Sequence, residues 1–326
     1  MNAAKKSIGT NSATYAAYGA WAGRPNRGET HILPATRERI SVARDQAFGE
    51  DGMNLSIVAP ALAAALLAAG CAESGSESGA PQTPAFDGAA YEIVDLSHEF
   101  GPDTVYWPNT PLRFEHNVIF EGEREDGLFY SAFSFAMPEH GGTHLDAPYH
   151  FHPGGDTAEA VPLSRLVAPA AVIDVTAQAA ADPLYRLTAD DVRAFEAEHG
   201  EIAAGTIVLL RTGWSRFWRD AQAYLGGTDA ANLSFPSFGV DAARLLVEER
   251  RAAALGIDTG STDYGPSTDF PVHRIMGAAN TPGFENLTNL DRLPPKGAFI
   301  VALPTKIAGG SGGPLRAIAF VPKEQR

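Results

Sequence analysis

The spacing of the histidines between residues 140 and 152 constrains this chain more than any other feature of its sequence. Four of its nine histidines fall within that stretch, namely His140, His144, His150 and His152. Two glycines follow His140, and glycine readily takes positive φ angles, so His140 and His144 are predicted to lie on a turn rather than on one face of a helix. A fold for this chain must therefore place that turn where several imidazoles can meet.

A short strand is predicted directly after the glycine turn, from residue 143 to residue 147. Side chains alternate across a strand, so His144 and Asp146 point to the same face. The turn brings His140 over that face, and the proline at position 148 ends the pairing and redirects His150 towards it. Imidazoles and carboxylates that converge in this way are metal ligands by type and predict a divalent-cation site. Histidines satisfied within a polar core are the alternative.

Two residues in the second half of the chain are candidates to complete the ligand set. His273 lies in the stretch DFPVHR, and Glu285 lies in GFENLTNL. With the first cluster they supply three imidazoles and two carboxylates, enough for one five-coordinate ion or for two adjacent ions. Mixed imidazole and carboxylate ligands suit Zn²⁺ and Mn²⁺ alike, so the sequence leaves open which metal binds, and whether one or two bind per subunit.

The first ninety residues are not expected to belong to the folded domain. Residues 1–52 lack a sustained apolar period and are interpreted as a non-structural extension, whereas residues 53–71 form a short apolar run that ends at the single cysteine, Cys71. That run is typical of a lipoprotein signal peptide and predicts an exported, periplasmic or membrane-anchored protein with a lipid on Cys71. An ordinary extension of a cytoplasmic protein is the alternative. Residues 72–90, rich in Ser, Gly, Glu and Pro, are predicted to be a flexible linker.

The segment from residue 91 to residue 322 is expected to fold as one α/β domain. Its strand-like runs are Glu92–Leu96, Ala170–Val175, Thr206–Arg211, Ala253–Ile257 and Ala298–Leu303. Between them, Thr188 begins a capping box for a helix that continues to Ala197, and Val240–Ala252 is amphipathic. Strands that alternate with helices predict a mixed sheet covered by helices.

Charge and cysteine content exclude two broad classes of function. The chain carries 39 acidic against 25 basic side chains, a formal net charge of −14 at pH 7. An acidic chain without a basic stripe repels phosphate backbones, which excludes nucleic-acid binding. One cysteine excludes both a disulfide framework and a cysteine-based zinc finger. A small molecule is the expected partner.

The stretch HGGTHLDAPYHF resembles the signature of the metal-dependent cyclase family, which includes bacterial kynurenine formamidases and isatin hydrolases. Further similarity lies in VDLSHEF, GIDTGSTDYG and ENLTNLDRLP. The resemblance implies a swivelling β/β/α domain that assembles as a homodimer or homotetramer. It implies that His150 moves the catalytic proton and that Trp107 lines the substrate pocket. The metal ligands that it implies are His140, His144, Asp146, His273 and Glu285.

The reaction implied by this resemblance is hydrolysis of the amide C–N bond of a small aryl substrate. An arylformamidase that produces kynurenine in tryptophan catabolism is the first interpretation, and an isatin hydrolase that opens a cyclic amide is the alternative. The family's formamidases carry glutamate at the position of Glu285, and its isatin hydrolases carry an amide there, whereas ALPTKIAGGSGGP resembles the isatin hydrolases. Trp107 and Phe284 are predicted to stack on the aryl ring of the substrate. Plain core packing is the alternative for both, and for Phe284 taken alone it is the favoured one.

Two further patterns point to other classes of protein. His144, Asp146 and the distant His273 also satisfy the ligand pattern of a non-haem Fe(II) oxygenase, and a metal-binding protein without catalysis is a third possibility. Residues 309–313 formally match the G-x-S-x-G nucleophile elbow, which requires a helix after the serine and a later histidine. A proline and a strand-like run follow instead, and no histidine lies beyond His273, so a glycine turn is predicted.

Overall fold

The structure, a computed structural model, describes residues 87–323 of the 326-residue chain. The predicted extension, the signal peptide and Cys71 lie outside the described residues, so those expectations stay predictions. The predicted linker, residues 72–90, overlaps the described part only at its end, where Gly88–Ala90 form a 3-10 turn. Within residues 87–323, no helix is both long enough and apolar enough to span a lipid bilayer.

Twelve strands lie between residues 91 and 322. In chain order they are β1 (Tyr91–Asp95), β2 (Glu115–Glu123), β3 (Phe129–Ala136), β4 (His144–Asp146), β5 (Val167–Asp174), β6 (Arg186–Leu187), β7 (Ile207–Arg211), β8 (Ser237–Phe238), β9 (Ala254–Ile257), β10 (Gly283–Glu285), β11 (Lys296–Pro304) and β12 (Gly312–Pro322). The five strand-like runs predicted from the sequence correspond to β1, β5, β7, β9 and β11, with small shifts at their ends.

Six α-helices accompany the strands in the described part of the chain. They are α1 (Leu163–Leu166), α2 (Thr176–Ala181), α3 (Ala189–His199), α4 (Ala221–Leu225), α5 (Val240–Arg244) and α6 (Pro271–Ala278). The capping box predicted for α3 is confirmed. The Thr188 hydroxyl accepts a hydrogen bond from the backbone amide of Asp191, and the Asp191 carboxylate accepts one from the backbone amide of Thr188. The predicted amphipathic helix is shorter than expected: α5 continues as a π-helical turn over Leu245–Glu249 and ends there.

One mixed sheet of eight strands organises the domain, in the order β1-β12-β11-β5-β7-β9-β10-β4. β5, β7, β9 and β10 run parallel to one another, and the other neighbours in the sheet pair antiparallel. β4 also pairs with the beginning of β12, so the sheet curls round and closes on itself. The predicted α/β fold, a mixed sheet with covering helices, is confirmed.

Apolar residues cover both faces of the parallel strands. In β7, Ile207 and Leu209 pack into one hydrophobic cluster with residues of β1, β11 and β12, whereas Val208 and Leu210 pack into a second cluster with α3, α5 and α6. A parallel strand that is buried on both faces needs a continuous apolar run, which explains the sequence IVLL in this strand. The buried sheet provides a rigid platform for the loops at its edge.

A hairpin of β2 and β3 stands apart from the main sheet as a separate pair of strands. Phenylalanines alternate with small residues along β3, so Phe133 and Phe135 lie on one face and Ser134 on the other. Phe133 is 40% exposed and Phe135 is 64% exposed. Other large apolar side chains of the hairpin are also exposed. An isolated two-stranded hairpin is marginally stable in water, so this exposed surface requires an explanation.

Candidate metal centre and active site

Strand pairing brings the first ligand candidates face to face. β4 lies between β10 and the start of β12, and His144 is directly opposite Glu285 on the antiparallel neighbour. Directly opposite residues share one face of a sheet, so both side chains point the same way. Asp146 is opposite Gly283 on the same neighbouring strand. This register brings together groups that are far apart in the sequence.

The glycine turn returns His140 to the same face, as the sequence predicted. Gly141 and Gly142 have φ angles of 144° and 61°, which other residues rarely adopt. The ring of His140 thereby lies beside Asp146, with Nδ1 2.6 Å from Oδ1. The carbonyl of Gly142 accepts a hydrogen bond from Nδ1 of His144 at 2.9 Å, which leaves Nε2 of His144 facing the carboxylates.

His273 reaches the site from the first turn of α6. Asp263 accepts hydrogen bonds from the backbone amides of Val272 and His273, so it satisfies free donors at the start of the helix. The same carboxylate accepts from Nδ1 of His273 at 2.7 Å. Asp263 therefore holds the helix terminus and the imidazole together, and it turns Nε2 of His273 towards the other ligand candidates.

The five predicted ligands converge on one small volume. Asp146 is central: Oδ1 lies 3.2 Å from Nε2 of His144, and Oδ2 lies 3.0 Å from Nε2 of His273. Glu285 spans the same two imidazoles, 3.7 Å from Nε2 of His144 and 3.2 Å from Nε2 of His273. Because each carboxylate has one oxygen near each imidazole, the arrangement can accommodate one cation or two.

Burial and neighbouring charges shift the pKa values of this cluster in opposite directions. Burial alone would lower the pKa of His144, but the carboxylates of Asp146 and Glu285 outweigh it and raise that pKa to about 9. Burial would likewise raise the pKa of Asp146, yet the charge of His144 and hydrogen bonds from the imidazoles hold it well below its ordinary value. For His273, the same carboxylates and Asp263 overcome desolvation and raise the pKa. The site is thus built to hold positive charge.

The donor set fits a divalent cation. His144, Asp146, His273 and Glu285 are buried, and the histidines turn Nε2 towards the carboxylates while Nδ1 is held by another acceptor. This arrangement of outer hydrogen bonds is typical of metal-ligating histidines. No lysine or arginine lines the adjoining cavity in the described part of the chain, so no fixed basic side chain neutralises the two carboxylates there.

His150 lies beside the cluster at the end of a 3-10 turn, Pro148–His150. Its ring stacks on His140, and its ligand atom lies within 4.8 Å of those of His140 and Asp146. Although His150 as a whole residue is exposed, its ring packs against those of His140 and Phe151, which removes part of its hydration. This desolvation lowers the pKa of His150, with nearby imidazoles adding to the effect and Asp146 opposing it. A neutral imidazole at this position is a suitable proton acceptor.

A cavity of about 370 Å³ opens onto these residues. Trp107, Phe151 and Phe270 line it together with Tyr106 and Leu225, so its walls are largely apolar and aromatic. That size and lining suit a small aryl ligand. Trp107, to which the family resemblance gives a place in the substrate pocket, lies in the wall of this cavity.

Phe284 does not line this cavity. Since neighbours in a strand alternate in direction, Phe284 points away from the face that carries Glu285. It is 1% exposed and packs in a hydrophobic cluster with Leu145 and Leu287. The expectation that Phe284 stacks on a substrate is corrected: it is a core residue.

Two residues that support the ligands are not among those predicted from the sequence. Asp263 holds His273, as described above, and Asn286 donates from Nδ2 to the Gly142 carbonyl at 2.7 Å. Asn286 also accepts from the hydroxyl of Tyr224, and its φ of 57° places it in the left-handed region. Both residues lie in stretches that carry the family resemblance, but no local periodicity distinguishes them from other polar residues.

Comparison with known proteins identifies the family. A model of the family described as "Putative cyclase" matches residues 94–264, which include most of the site. The isatin hydrolase of Roseibium aggregatum is 38% identical over 247 residues, covering 71% of this chain and 92% of that protein. The chain belongs to the cyclase family. It is a hydrolase of that family, as its relatives are.

Other cyclase-family proteins share the same region at lower similarity. The kynurenine formamidase of Salinibacter ruber is 29% identical over 231 residues, covering 69% of this chain and 96% of that protein. The crystal structure of an isatin hydrolase bound to the product analogue thioisatinate superposes with a TM-score of 0.66 at 36% identity, covering 72% of this chain and 94% of that one. A protein described as a potential metal-dependent hydrolase with cyclase activity gives a TM-score of 0.55 at 27% identity, covering 71% and 98%.

Proposed function

We propose that this cyclase-family hydrolase cleaves the amide C–N bond of a small aryl substrate with the help of a divalent cation, Zn²⁺ or Mn²⁺. One observation carries the proposal: five candidate ligands converge at the wall of an apolar cavity, and the imidazole of His150 lies beside them and faces the same cavity. The ligands proposed are His140, His144, Asp146, His273 and Glu285. Trp107 is proposed to line the substrate site.

A bound divalent cation would lower the pKa of a water molecule and stabilise negative charge on the carbonyl oxygen of the substrate. The chain's own contribution is to hold the donors in place before binding, through the acceptors behind His144 and His273. The buried carboxylates of Asp146 and Glu285 supply the negative charge that favours a cation. Together these features would give a preorganised site.

His150 is proposed as the proton carrier. Its neutral ring accepts the proton of the attacking water and returns it to the departing nitrogen, so that hydroxyl adds to the carbonyl carbon and hydrogen to the nitrogen as the C–N bond breaks. Because the pKa of His150 is lowered, its neutral ring is a weak base, and the acidity that a bound cation would give the water offsets this weakness. Once protonated, the ring readily returns the proton to the departing nitrogen. The position of His150, between the ligand cluster and the cavity, supports this role.

A cyclic amide of the isatin type is the first substrate candidate, because the isatin hydrolases compared here are more similar to this chain than the kynurenine formamidase is. An N-formyl aryl amide is the second, and with it a role in tryptophan catabolism. The glutamate at position 285 supports that second candidate. A role as a non-haem Fe(II) oxygenase is not proposed, since the chain belongs to a family of hydrolases.

The test is hydrolysis of isatin and N-formylkynurenine by the full chain, measured side by side after loading with Mn²⁺ or Zn²⁺. We expect turnover of at least one of them, without oxygen consumption, and its loss after chelation and dialysis. Ring opening of isatin alone would support the first candidate, and deformylation alone the second. Turnover that survives complete metal removal would contradict the proposal.

The exposed hairpin supports a further proposal, that a second copy of this chain is the partner. Eight large apolar side chains of the hairpin are exposed: Val118, Ile119, Phe120, Leu128, Phe129, Tyr130, Phe133 and Phe135. Strand alternation and pairing place Val118, Phe129, Phe133 and Phe135 on one face of the hairpin and Phe120 and Tyr130 on the other. Aromatic side chains bury about 150–250 Å² each, so half-exposed groups of this kind leave roughly 800 Å² to cover when both faces are counted. That is about the area that one partner contributes to a standard interface.

Charge favours a protein partner over a membrane surface at this hairpin. Glu115, Glu121 and Glu123 lie on β2, and Glu125 and Asp126 lie in the turn, against a single arginine, Arg124. Such an acidic element is repelled by anionic lipid headgroups. Closed symmetric dimers are the commonest oligomers, and an isologous contact covers the same apolar face on both copies.

A further inference from the structure

The glycine-rich turn before β12 lies next to the candidate metal centre. Its local sequence, residues 309–313, matches the pattern of a nucleophile elbow, but β12 follows it and no helix does. The turn is fixed against the ligand segment, because the carbonyl of Ser311 accepts from the amide of Ala147 and that of Gly310 accepts from Ala158. The glycine turn predicted from the sequence is confirmed.

Ser311 connects Glu139 to the ligand candidate His140. The carboxylate oxygen Oε2 of Glu139 accepts from the backbone amide of Ser311 at 2.8 Å and from its hydroxyl at 2.7 Å. The hydroxyl oxygen of Ser311 lies 2.8 Å from Nε2 of His140. A serine hydroxyl has one hydrogen, and here Glu139 receives it, so the oxygen can only accept from His140.

This direction of hydrogen bonding determines which nitrogen of His140 can bind a metal. Its Nε2 must carry a hydrogen to donate to Ser311. Nδ1 lies 2.6 Å from Asp146, to which it donates while it is protonated, and it is the nitrogen that a bound cation would take. His144 and His273 show the opposite arrangement, with Nδ1 bonded outward and Nε2 facing inward. His140 is therefore the one of these three ligand candidates that presents Nδ1 to the site.

The surrounding glycines allow this contact. A side chain at Gly312 would place its Cβ 2.6 Å from Cε1 of His140 and 2.4 Å from the carbonyl oxygen of Leu145. Such distances are not tolerated, so the backbone approaches the imidazole only without a Cβ. At Gly310 the nearest Glu139 oxygen would be 3.2 Å away. Gly312 is thus explained by close packing against His140, whereas a Cβ at Gly310 would meet Ile307 first, at 3.0 Å.

We propose that Ser311, held by Glu139, is a positioning residue that fixes the tautomer and ring plane of His140 for metal binding. This inference rests on the proposed metal site. Because the ring of His150 stacks on that of His140, the same contact also aligns the proposed proton carrier. Ser311, His140 and Asp146 form a chain of hydrogen-bond distances like that of a catalytic triad. Ser311 itself is nevertheless not a nucleophile, because its hydroxyl donates its hydrogen to Glu139 and not to His140.

Zinc affinity of the full chain, measured by competition with a chromogenic chelator, tests this inference without any substrate. We expect Ser311→Ala to weaken Zn²⁺ binding about 10–100-fold, the range found when outer hydrogen-bond partners of metal ligands are removed. Ser311→Thr, which keeps the hydroxyl, should restore affinity to within about threefold of the wild type. Ser164→Ala, at an exposed serine of α1, is the matched control and should change nothing.

A second measurement uses selective ¹⁵N-histidine labelling of the Zn²⁺-loaded protein to observe the Nε2–H signal of His140. This signal would not change if Ser311 only supported the fold. We expect a slowly exchanging Nε2–H signal of His140 in the wild type and in Ser311→Thr, and its loss or rapid exchange in Ser311→Ala. A fluorophosphonate probe should leave Ser311 unlabelled. If Ser311→Ala does not fold, Glu139→Leu carries the same expectations for affinity and exchange.

The outcomes separate this inference from the proposed function. Wild-type protein that binds no Zn²⁺ or Mn²⁺ would contradict the metal site itself. Wild-type protein that binds metal, with a folded Ser311→Ala variant of equal affinity and an unchanged His140 signal, would overturn only the role of Ser311. Labelling of Ser311 by the probe would overturn the direction of its hydrogen bond.

Discussion

The imidazole of His150 lies almost flat on that of His140, with ring centroids 3.8 Å apart and an angle of 17° between the planes. Two protonated rings at this distance would repel each other strongly, so a charge or cation at His140 disfavours protonation of His150. The two stacked rings therefore have different proposed roles. His140 is a ligand candidate, whereas His150 stays neutral and faces the cavity. This division is the basis of the first prediction.

Replacing His150 by alanine is expected to leave metal binding intact and to lower kcat about 10²–10⁴-fold, the usual contribution of a general acid and base. The measurement is kcat on the better of the two candidate substrates, together with metal content by mass spectrometry. His199→Ala, which removes a histidine at the end of α3, is the control. Wild-type turnover in His150→Ala would rule out this assignment.

Replacing Asp146 by asparagine is expected to abolish activity and to reduce bound metal below half of the wild-type content. Asp146 is the carboxylate that contacts His140, His144 and His273, so its charge supports every other ligand. Metal stoichiometry after dialysis against free metal is the measurement. Asp174→Asn, at a surface ion pair with Arg211, is the matched control. Equal stoichiometry in both variants would contradict the ligand set.

Replacing Phe135 by serine is expected to raise the dissociation constant of the proposed dimer at least about tenfold, since a buried phenylalanine contributes about 1.5–3 kcal/mol. Sedimentation velocity over a range of protein concentrations measures this. Ser134→Ala, on the opposite face of the same strand, should leave assembly unchanged. A wild-type chain that sediments as a monomer at micromolar concentration would refute the proposal, and so would dimers unaffected by the Phe135 change.

Stability at acidic pH is expected to depend on His98. Burial lowers the pKa of His98 from 6.5 to about 4, with Asp95 opposing the shift, and Nε2 of the ring has no hydrogen-bond partner. Because the folded state favours the neutral ring, this stabilising contribution is complete above pH 6.5 and is lost as pH falls towards 4. Between pH 7.5 and pH 5 the loss is at most about 2 kcal/mol.

His98→Phe isolates this effect, because phenylalanine can keep the stacking on Trp218, which lies 4.0 Å from the His98 ring. Urea unfolding at pH 7.5 and pH 5 gives the free energy of unfolding for both proteins. Carboxylates titrate equally in the two, so their difference reports on His98. We expect the variant to lose less stability on acidification. The same loss in both would show that His98 does not titrate with folding.

Short-range features of the site could be predicted from the sequence. The alternation of His144 and Asp146 on one strand face and the return of His140 over a glycine turn follow from backbone geometry over a few residues. The capping box at Thr188 is local in the same sense. Phe284 shows where this approach is insufficient: its neighbour Glu285 faces the site, and only the orientation of β10 decided which of the two points inward.

The amino-acid sequence by itself determined which chemical groups the chain offers and how neighbouring groups are turned, since those depend on bond geometry and on the two-residue period of a strand. Only the tertiary structure decided that His144 meets Glu285 and that Ser311 meets His140. These contacts join segments more than a hundred residues apart, and they depend on the register and order of strands. The hydrophobic pattern limits the register of each strand to the choices that bury its apolar face, but the partner of a strand so far away in the sequence is decided by the packing of the whole sheet.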